Sequence, residues 1–442
     1  MSLKNSKKYE FVNVIGAGLA GCEAALYLAQ HGIKVNLFEM KPKYKTPAHK
    51  NDNFGELVCS NSLKSIDENT ASGLLKKELG ELDCSLLKIA KSVAVPAGTA
   101  LAVDREKFSD LITKEIYGNK NITVVNEKID QLNLNELNIV ATGPLTDENL
   151  YLYLQELIGK NNCYFYDAIA PIIYSNSLDF NYAFWGDRYG KGGSGDYINC
   201  VLNKEQYSIF VNELINAETA QLKEFEKVFE SCMPIEIMAK RGFEALRFGP
   251  MKPVGLFDTK KNERPYAVVQ LRKEDEEGKL VNLVGFQTNL KYKEQKRVFS
   301  LIPALKNAEF VRFGQMHRNS YINSPYCLNF YSQLKQIPNI FIAGQLSGVE
   351  GYVESIASGL YVAINAKRYL ENKTLEKLST KTCMGAIFNY ISQNIANNFQ
   401  PMNANYGIIT CEEHFRDKQK KREYILKTSL SEIKKFKEKI YD

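Results

Sequence analysis

A glycine-rich turn near the start of the chain has the residue types and the spacing that bind a dinucleotide. Gly16, Gly18 and Gly21 follow an apolar run, Phe11–Ile15, that predicts a β-strand. Glycines at this spacing allow a tight turn, a close approach of the backbone to a pyrophosphate, and packing of the next helix, whose N-terminus holds the phosphates. Glu39 ends the next predicted strand, where its carboxylate can accept a hydrogen bond from a ribose hydroxyl. The alternative, a turn that binds nothing, is disfavoured by the complete strand, helix and strand unit.

NAD and FAD share this fingerprint, so a second contact region is needed to choose between them. Residues 137–142 and 339–343 are apolar runs that predict buried strands, and each leads into a turn that contains glycine. A helical pattern over 352–366 follows the second turn and places another helix N-terminus over a ligand. This arrangement suits FAD, with its long tail and large ring, and an ordinary strand-to-helix connection is the alternative. The candidate cofactor contacts in these turns are Thr142, Gly143, Gly344, Gln345, Gly348, Val349, Glu350, Gly351 and Tyr352.

Two cysteines have sequence contexts that suit nucleophilic or base chemistry. Cys59 follows soon after Glu39, and the small polar residues after it predict the start of a helix. A thiol at a helix N-terminus has a lowered pKa and is a better nucleophile or base. Cys232 lies just before Pro234, where a helix can also begin. The alternative for each cysteine is a small buried side chain without a chemical role.

A third group of polar residues surrounds His317. The stretch MHRNSYIN combines a ring, a guanidinium and two amides, including Asn319, and such density suits a polar aromatic ligand. A histidine with a structural role is the alternative. Four cations could bind phosphate or carboxylate groups, or pair with neighbouring acids. They are Arg105, Arg241, Arg247 and Lys252.

The order of the predicted elements indicates how the site is assembled. A chain of 442 residues is expected to form two or three domains, or one large core with an insertion. If both glycine-rich regions build one cofactor site, the middle of the chain is the insertion. We therefore predict an α/β fold with a Rossmann-like, glutathione-reductase-like FAD-binding domain (1–195 and 305–442), split by a smaller α+β insertion domain (196–304). The lysine-rich C-terminus predicts a pair of basic amphipathic helices, either a solvated face or a contact to an RNA backbone.

Composition limits the class of protein. With 44% hydrophobic and 24% charged residues the chain is typical of a globular protein, and no apolar run is long enough to span a membrane. The polar, basic start lacks the features of a secretory signal, so a cytoplasmic location is expected. Nine cysteines without CxxC pairs, and four histidines, indicate neither a disulfide framework nor a metal site. The charge of 57 − 51 = +6 permits a nucleic-acid partner without requiring one.

Taken together, these stretches resemble a known family. The chain is similar to the folate- and FAD-dependent tRNA (uracil-5-)-methyltransferases, the TrmFO family, over nearly its whole length. Several long blocks in one order are more specific than any single motif. They are GAGLAGCEAA, GELVCSNSLKS, VPAGTALAVDR, CMPIEIMAKRG, LRFGPMKPVGL, RPYAVVQLR, FGQMHRNSYINSP, IFIAGQLSGVEGYVESIASGL and QPMNANYGI.

The resemblance implies an activity and a set of roles. Members transfer the methylene of 5,10-methylenetetrahydrofolate, with electrons from NAD(P)H through the flavin, to make 5-methyluridine in the tRNA T-loop. Cys232, in the CxPIE block, would add to carbon 6 of the uracil, and Cys59 would remove the carbon 5 proton, although these two roles could be exchanged. Tyr352 would cover the flavin, and His317 with Asn319 would hold the pterin. The helix that begins near Gly348 would direct its amides at the flavin pyrimidine edge. The cations Arg241, Arg247 and Lys252 would contact RNA.

Several alternatives remain open at this point. The loop KGGSGDYINC is less acidic than in the family, and Ser347 replaces a usual threonine, so the same chemistry on a uridine of 23S rRNA is an alternative target. Two other classes are an FAD-dependent NAD(P)H oxidoreductase acting on a small molecule and a flavin-binding RNA scaffold without catalysis. The related wobble-uridine family is disfavoured because it is longer. The sequence indicates neither an oligomeric state nor a preference between NADH and NADPH.

Overall fold

The structure is a computed structural model that describes residues 9–46, 48–159, 163–164, 167–190, 196–220, 233–258, 261–273, 278–317, 320–393, 399 and 401–441. The strands are β1 (Phe11–Ile15), β2 (Lys34–Phe38), β3 (Ser62–Ser65), β4 (Ala94–Val95), β5 (Ala100–Val103), β6 (Ile122–Val125), β7 (Leu137–Val140), β8 (Cys163–Tyr164), β9 (Asp167–Ile169), β10 (Ile172–Tyr174), β11 (Ala183–Trp185), β12 (Tyr197–Leu202), β13 (Ala267–Lys273), β14 (Leu280–Leu283), β15 (Phe310–Arg312), β16 (Gln315–His317), β17 (Tyr321–Ile322) and β18 (Ile340–Ile342). The helices are α1 (Leu19–Gln30), α2 (Ala71–Glu81), α3 (Ser85–Ser92), α4 (Arg105–Gly118), α5 (Glu148–Ile158), α6 (Lys204–Asn216), α7 (Ile235–Lys240), α8 (Ala245–Phe248), α9 (Tyr292–Phe299), α10 (Ser324–Cys327), α11 (Tyr352–Leu370), α12 (Cys383–Gln393) and α13 (Lys418–Tyr441).

A parallel sheet carries the glycine-rich turn. Its strand order is β18-β7-β1-β2-β6, and every neighbouring pair is parallel. Val12, Val14, Leu37 and Ile139 in these strands are fully buried, as expected for a parallel sheet with both faces covered. β7 and β18 are neighbours although a second sheet lies between them in the sequence. This arrangement confirms the predicted α/β fold with a Rossmann-like sheet that is split in the sequence.

The helices α1 and α11 connect the first and last parts of that sheet. They pack so closely that a Cβ added at Gly359 would lie 2.2 Å from the carbonyl oxygen of Ala20. Small side chains on α1, among them Ala24 and Ala25, are fully buried in the same core. The two glycine-rich segments are therefore held together by direct contact between their helices.

A second sheet forms the other half of the molecule. It is antiparallel, with the order β11-β12-β13-β14-β10-β15. One face packs against α6, α7 and α9 through a buried apolar cluster that includes Tyr207, Phe210 and Val298. Asn203 and Gln206 form a capping box that fixes the start of α6. The strands come from residues 172–312, a wider span than the predicted insertion of 196–304, because β10, β11 and β15 have only three residues each, too few for a clear alternating pattern.

The C-terminal region packs back onto α2. The buried carboxylate of Glu78 accepts hydrogen bonds from the amides of Cys383 and Met384 in α12 and from the hydroxyl of Ser429 in α13. Burial raises the pKa of Glu78 to about 7, although these three hydrogen bonds act in the opposite direction. The predicted pair of C-terminal helices is wrong: α13 is one continuous helix, because no glycine or proline interrupts it and one face is buried from Ile425 to Ile440. Among the described helices, none is long and apolar enough to cross a membrane.

Candidate functional site

The turn between β1 and α1 depends on backbone approaches that only glycine permits. Gly16 has a φ of +98°, and a Cβ there would lie 2.8 Å from the carbonyl oxygen of Ala141. A Cβ at Gly21 would lie 1.8 Å from the carbonyl oxygen of Gly16, so this residue sets the distance between helix and turn. Gly18 precedes α1 without a side-chain cap, and a Cβ there would have only Ala141 within 4.0 Å. The first amides of α1 are therefore available to an anionic ligand.

Glu39 supports the turn from the end of β2. Its side chain is buried, and its two carboxylate oxygens accept hydrogen bonds from the amides of Ala17 (2.8 Å) and Lys41 (3.0 Å). Each carboxylate oxygen has capacity for a further hydrogen bond. Glu39 also lines the cavity beside the turn, so it can accept a ribose hydroxyl.

One cavity brings the predicted turns together. Gly143 and Gly344 have φ values of +66° and +70°, so the chain reverses directly after β7 and after β18 and both turns reach this cavity. The predicted cofactor contacts that line it are Gly16, Gly18, Glu39, Thr142, Gly143, Gly344, Gln345 and Tyr352. The structure therefore assembles most of the predicted cofactor site from both halves of the split sheet.

The remaining predicted cofactor contacts do not line the cavity. Gly348 has a φ of +83°, and a Cβ there would meet the ring of Phe399 at 2.6 Å. The amide of Glu350 donates to the carbonyl of Met402 at 2.8 Å. This stretch therefore anchors the segment around Met402, and α11 begins after it, at Tyr352, and not near Gly348. The predicted contacts outside the cavity are Gly21, Gly348, Val349, Glu350 and Gly351.

The lining of the cavity fits FAD. The sequence did not indicate Glu56, which lines the cavity with a buried Oε2 atom that accepts no hydrogen bond from the described residues. Lys41 Nζ lies 3.7 Å from this oxygen, so the carboxylate is charge-paired but still able to accept a hydrogen bond from a ligand. The uncapped α1, Glu39 and Glu56 provide amide donors for phosphates and acceptors for hydroxyl or amino groups. Ile15, Phe38 and other apolar side chains complete the lining and suit the flat rings of the cofactor.

Cys59 lies in a loop, residues 57–60, at the edge of this cavity, which Val58 lines. The predicted helix after Cys59 is wrong, because β3 follows the loop. Ser60 Oγ accepts a hydrogen bond from the amide of Ser62, and Ser62 Oγ accepts one from the backbone amide of Lys64, both at 3.1 Å. Serine side chains thus satisfy the backbone locally, while β3 pairs with β5.

Tyr352, the first residue of α11, holds the Cys59 loop. Its hydroxyl oxygen accepts hydrogen bonds from the amides of Cys59 at 2.6 Å and Ser60 at 3.1 Å. Desolvation, with a smaller effect of the neighbouring Cys59, raises the pKa of Tyr352 above its ordinary value, so the hydroxyl keeps its proton. Because Tyr352 also lines the cavity, one residue joins the thiol-bearing loop to the cofactor site.

Two arginines bind the carbonyl groups of the same loop. Arg105 donates to the carbonyls of Leu57 (3.1 Å) and Cys59 (3.3 Å), and Arg312 in β15 donates to the carbonyl of Val58 (2.8 Å). The sequence alone leaves the role of Arg105 open and does not indicate Arg312. No sequence signal could have indicated Arg312, since it is 254 residues from its partner.

The residues that follow the loop connect it to other parts of the fold. Asn61 donates to the carbonyl of Lys273 (2.6 Å) and accepts from Arg272 Nε (3.0 Å), so it binds the end of β13 in the second sheet. Lys64 has a φ of +63° and forms a 2.8 Å ion pair with Glu354 in α11. The side chain of Glu354 is fully buried. The loop and the residues after it are thus fixed by α4, by the second sheet and by α11.

Two of the other predicted residues cannot be placed. Cys232 and Asn319 lie outside the described residues. α7 begins at Ile235, directly after Pro234, where the sequence predicts a helix start. The described backbone of β16, which ends at His317, pairs with β9.

The three predicted RNA-contacting cations differ in their surroundings. Arg247 pairs with Glu244, donates to the carbonyl of Tyr266 (2.9 Å), and lies 3.7 Å from the centre of its ring. Arg241, at the end of α7, and Lys252 are exposed. Arg247 is therefore bound to an acid, a carbonyl and an aromatic ring of the protein, whereas the side chains of Arg241 and Lys252 are exposed.

Known proteins are similar to this chain over nearly its whole length. The family model for glucose inhibited division protein A matches residues 11–374. A protein from Acetivibrio thermocellus is 52% identical over 97% of this chain and 98% of its own length. Proteins from Caldicellulosiruptor bescii (52%, 97% of this chain and 99% of its own) and Aquifex aeolicus (51%, 97% and 96%) are similarly close. All three bear the name methylenetetrahydrofolate–tRNA-(uracil-5-)-methyltransferase TrmFO.

Solved structures share the fold at lower identity. GidA of Aquifex aeolicus in one crystal form superposes with a TM-score of 0.70 at 16% identity, over 98% of this chain and 74% of GidA. A second crystal form gives a TM-score of 0.68 at 16% identity, over 97% and 78%. The similarity therefore extends through both sheets.

Proposed function

Because the chain belongs to the TrmFO family of methylenetetrahydrofolate–tRNA-(uracil-5-)-methyltransferases, within the GIDA family, we infer that it makes 5-methyluridine in tRNA, in the T-loop. The added carbon comes from 5,10-methylenetetrahydrofolate, and NAD(P)H provides the electrons through FAD. The observation that carries this proposal is the contact of Tyr352 with Cys59, because Tyr352 also lines the dinucleotide cavity. A thiol held at the edge of that cavity is positioned to act on a base beside the flavin.

FAD binding is assigned to the residues around the cavity. The amides at the start of α1 would hold the pyrophosphate, and Glu39 would accept a ribose hydroxyl. Gly143 and Gly344 provide the turns that let the backbone approach the cofactor. When bound, FAD supplies the hydride that reduces the transferred carbon to a methyl group.

The uracil chemistry is assigned to two cysteines. Addition of the Cys232 thiolate to carbon 6 makes carbon 5 nucleophilic, so that carbon 5 bonds to the methylene carbon. Loss of the carbon 5 proton to Cys59 releases the carrier of the one-carbon unit and leaves an exocyclic methylene. Hydride addition then completes the methyl group as the Cys232 thiolate leaves. The exchange of the two cysteine roles is the alternative within this mechanism.

The loop contacts explain how Cys59 could serve as a base. Arg105 and Arg312 fix three consecutive carbonyls and bring two guanidinium groups to the loop, and such positive charge stabilises a thiolate. Tyr352 fixes the amide side of the loop. The backbone of Cys59 is thus held from both sides, which keeps the thiol in one place during proton transfer.

The remaining assignments concern folate and RNA. We place the pterin near His317 and Asn319, and the RNA backbone near Arg241 and Lys252, with Arg247 supporting that segment through Tyr266. Transfer RNA is the substrate that the relatives' name specifies, and a uridine in 23S rRNA is the second candidate. Because these substrates are found in the cytoplasm, we place the protein there.

A nucleoside assay tests the proposal. The purified FAD-loaded protein is incubated with 5,10-methylenetetrahydrofolate, NADPH and either a tRNA transcript or a 23S rRNA transcript, and nucleosides are analysed by mass spectrometry. We expect 5-methyluridine in the tRNA and none after Cys232→Ala. A product only in the rRNA would change the target and keep the chemistry. Flavin that cycles on NADPH without a product in either RNA would overturn the methyltransferase function and favour a small-molecule oxidoreductase or an RNA scaffold.

A further inference from the structure

A ladder of aromatic rings lies on the surface where α9 meets β15. The rings of Phe310 and Phe313 stack with centroids 5.0 Å apart and planes inclined by 11°. Tyr292 stacks on Phe313 at 5.3 Å and 22°, and 53% of Tyr292 is exposed. Phe310 is anchored in turn against Phe299 of the buried cluster. The ladder therefore has a fixed inner end and an open outer end.

Lysines surround the outer end of this ladder. Lys293, Lys296 and Lys306 are exposed, and none has a carboxylate within 4.0 Å among the residues that the structure describes. The neighbouring Arg297 differs, because it pairs with Glu213 and Glu294. We call Tyr292, Lys293, Lys296, Lys306 and Phe313 the α9 surface. It combines an exposed ring, Tyr292, with exposed cations that can bind an anion.

Two grooves cross the α9 surface. One, of about 430 Å³, is lined by Tyr292, Lys293, Lys296, Arg297 and Phe313. The other, of about 500 Å³, shares Lys296 and Phe313 and extends past Lys306. Glu309 also lines the second groove, but it is outnumbered by the cations that line the two grooves, which are Lys293, Lys296, Arg297 and Lys306. An extended, negatively charged ligand with flat rings matches this shape and charge.

The α9 surface is connected directly to the loop that carries Cys59. Arg312, the residue before Phe313, donates to the carbonyl of Val58 at 2.8 Å. Gln295 of α9 bonds both the amide and the carbonyl of Gly314 at 2.7 Å, which fixes the helix against the same segment. The ladder and the Cys59 loop are therefore parts of one rigid arrangement.

We propose that the α9 surface binds the substrate RNA beside the target uridine, with an unpaired base stacked at the Tyr292 end of the ladder and phosphates at Lys293, Lys296 and Lys306. This inference rests on the proposed function, because it takes RNA as the substrate. Proteins usually bind unpaired nucleic acid with aromatic side chains that stack on the bases and with cations that contact the phosphate backbone. The other lysine-rich element, α13, is held to α2 by Ser429 and Lys437 and has no described contact to residues 57–60.

The test compares two charge reversals of equal size in the FAD-loaded full-length protein. Lys293→Glu with Lys296→Glu alters the α9 surface, and Lys420→Glu with Lys421→Glu alters exposed lysines of α13 as the matched control. A third variant, Tyr292→Ala, removes the exposed ring. The measurements are the Kd for a T-loop tRNA transcript at several salt concentrations, the KM and kcat of methyl transfer, and NADPH oxidation without RNA. The emission of the single tryptophan, Trp185, reports folding of the second sheet.

We expect the α9 double variant to raise the Kd and the KM about tenfold or more. The slope of log Kd against log salt concentration should decrease by roughly 1 to 2, which corresponds to one or two lost phosphate contacts. Tyr292→Ala should raise the Kd severalfold at an unchanged salt slope, because it removes stacking and no charge. The rate of NADPH oxidation and the Trp185 emission should match the wild type. An equal loss of affinity in the α13 control, or an unchanged Kd in the α9 variants, would overturn the inference. If the wild type binds tRNA through this surface but forms no 5-methyluridine, the proposed function fails and the binding surface stands.

Discussion

The hydroxyl oxygen of Tyr352 accepts a hydrogen bond from the backbone amide of Cys59 at 2.6 Å, although the two residues are 293 positions apart in the sequence. The same oxygen accepts the amide of Ser60. Tyr352 begins α11, and α11 packs against α1 at the dinucleotide turn. The position of the thiol-bearing loop is therefore set by the helices that form the cofactor cavity.

Tyr352→Phe should slow methyl transfer while FAD binding is kept. The change removes the shared acceptor of two amides of half-buried residues, at about 0.5–1.5 kcal/mol for each lost hydrogen bond. We expect kcat to fall at least about tenfold, since each 1.4 kcal/mol corresponds to a factor of ten. The measurement is single-turnover formation of 5-methyluridine with the flavin content of each preparation determined.

Tyr361→Phe is the matched control for this variant. Tyr361 belongs to the same helix and is also buried, but its hydroxyl bonds the carbonyl of Phe330 at 3.0 Å, far along α11 from the loop. It should lower the melting temperature and leave kcat unchanged. Equal kcat values for the two variants and the wild type would show that the Tyr352 hydroxyl does not position Cys59.

Arg105→Lys should lower the rate of methyl transfer although it keeps the positive charge. Arg105 bridges the carbonyls of Leu57 and Cys59 with two nitrogens, and a single ammonium cannot reproduce this forked geometry. We expect a loss of about tenfold in kcat, together with faster alkylation of Cys59 by iodoacetamide because the loop is less restrained. Alkylation is quantified by mass spectrometry of the Cys59 peptide, and unchanged rates of both reactions would contradict the role given to Arg105.

Alanine substitutions in the glycine-rich turn should separate folding from cofactor binding. Gly21→Ala places a Cβ 1.8 Å from a backbone oxygen, so we expect little folded protein. Gly18→Ala meets no atom closer than 4.0 Å, so the chain should fold, with a lower affinity for FAD because the methyl group lies where phosphates approach. Circular dichroism and the flavin absorbance of the purified proteins distinguish these outcomes. Gly80→Ala in α2, with open space around it, is the control and should stabilise the fold by about 0.5–1 kcal/mol.

Glu78 should make the stability of the protein depend on pH in a defined direction. Its pKa in the folded state is about 7, above the ordinary value of 4.5, so between these values the folded state binds more protons than the unfolded state. The free energy of unfolding of the wild type, relative to Glu78→Gln, should therefore be highest below pH 4.5 and decrease as the pH rises to about 7. The slope is at most about 1.4 kcal/mol per pH unit, and urea unfolding of both proteins at several pH values measures it. A difference that rises with pH in this window would contradict the assigned protonation.

The sequence predicts those parts of the site whose residues are close together in the chain, and not those that depend on residues far apart. The turn at Gly16 and the carboxylate of Glu39 belong to one local unit of strand, helix and strand, so their spacing alone indicates their function. Arg312 and Tyr352 act on backbone atoms of the Cys59 loop that are more than 250 residues away. A contact to a backbone atom leaves no pattern in the sequence of its partner, which is why the arrangement around the loop could only be found in the fold.

The errors also have identifiable physical causes. The predicted helix after Cys59 is replaced by β3, because serine side chains at Ser60 and Ser62 satisfy the local amides in an extended chain. The helix predicted to begin near Gly348 begins at Tyr352, because the backbone of Gly348 and Glu350 pairs with Met402, an interaction between distant parts of the chain. Glycine-rich sequences permit either use, and tertiary contacts decide between them.

The long sequence separation between Cys59 and Tyr352 has a consequence for synthesis of the protein. Ribosomes add about 5–20 residues per second, so roughly 15–60 s pass between the translation of the thiol and that of the hydroxyl that holds it. During most of this interval the strand β18 and the helix α11, which complete the cofactor cavity, are also absent from the nascent chain. The enzyme therefore becomes competent in one late step, when the C-terminal part of the chain has left the ribosome and has folded onto the part made first.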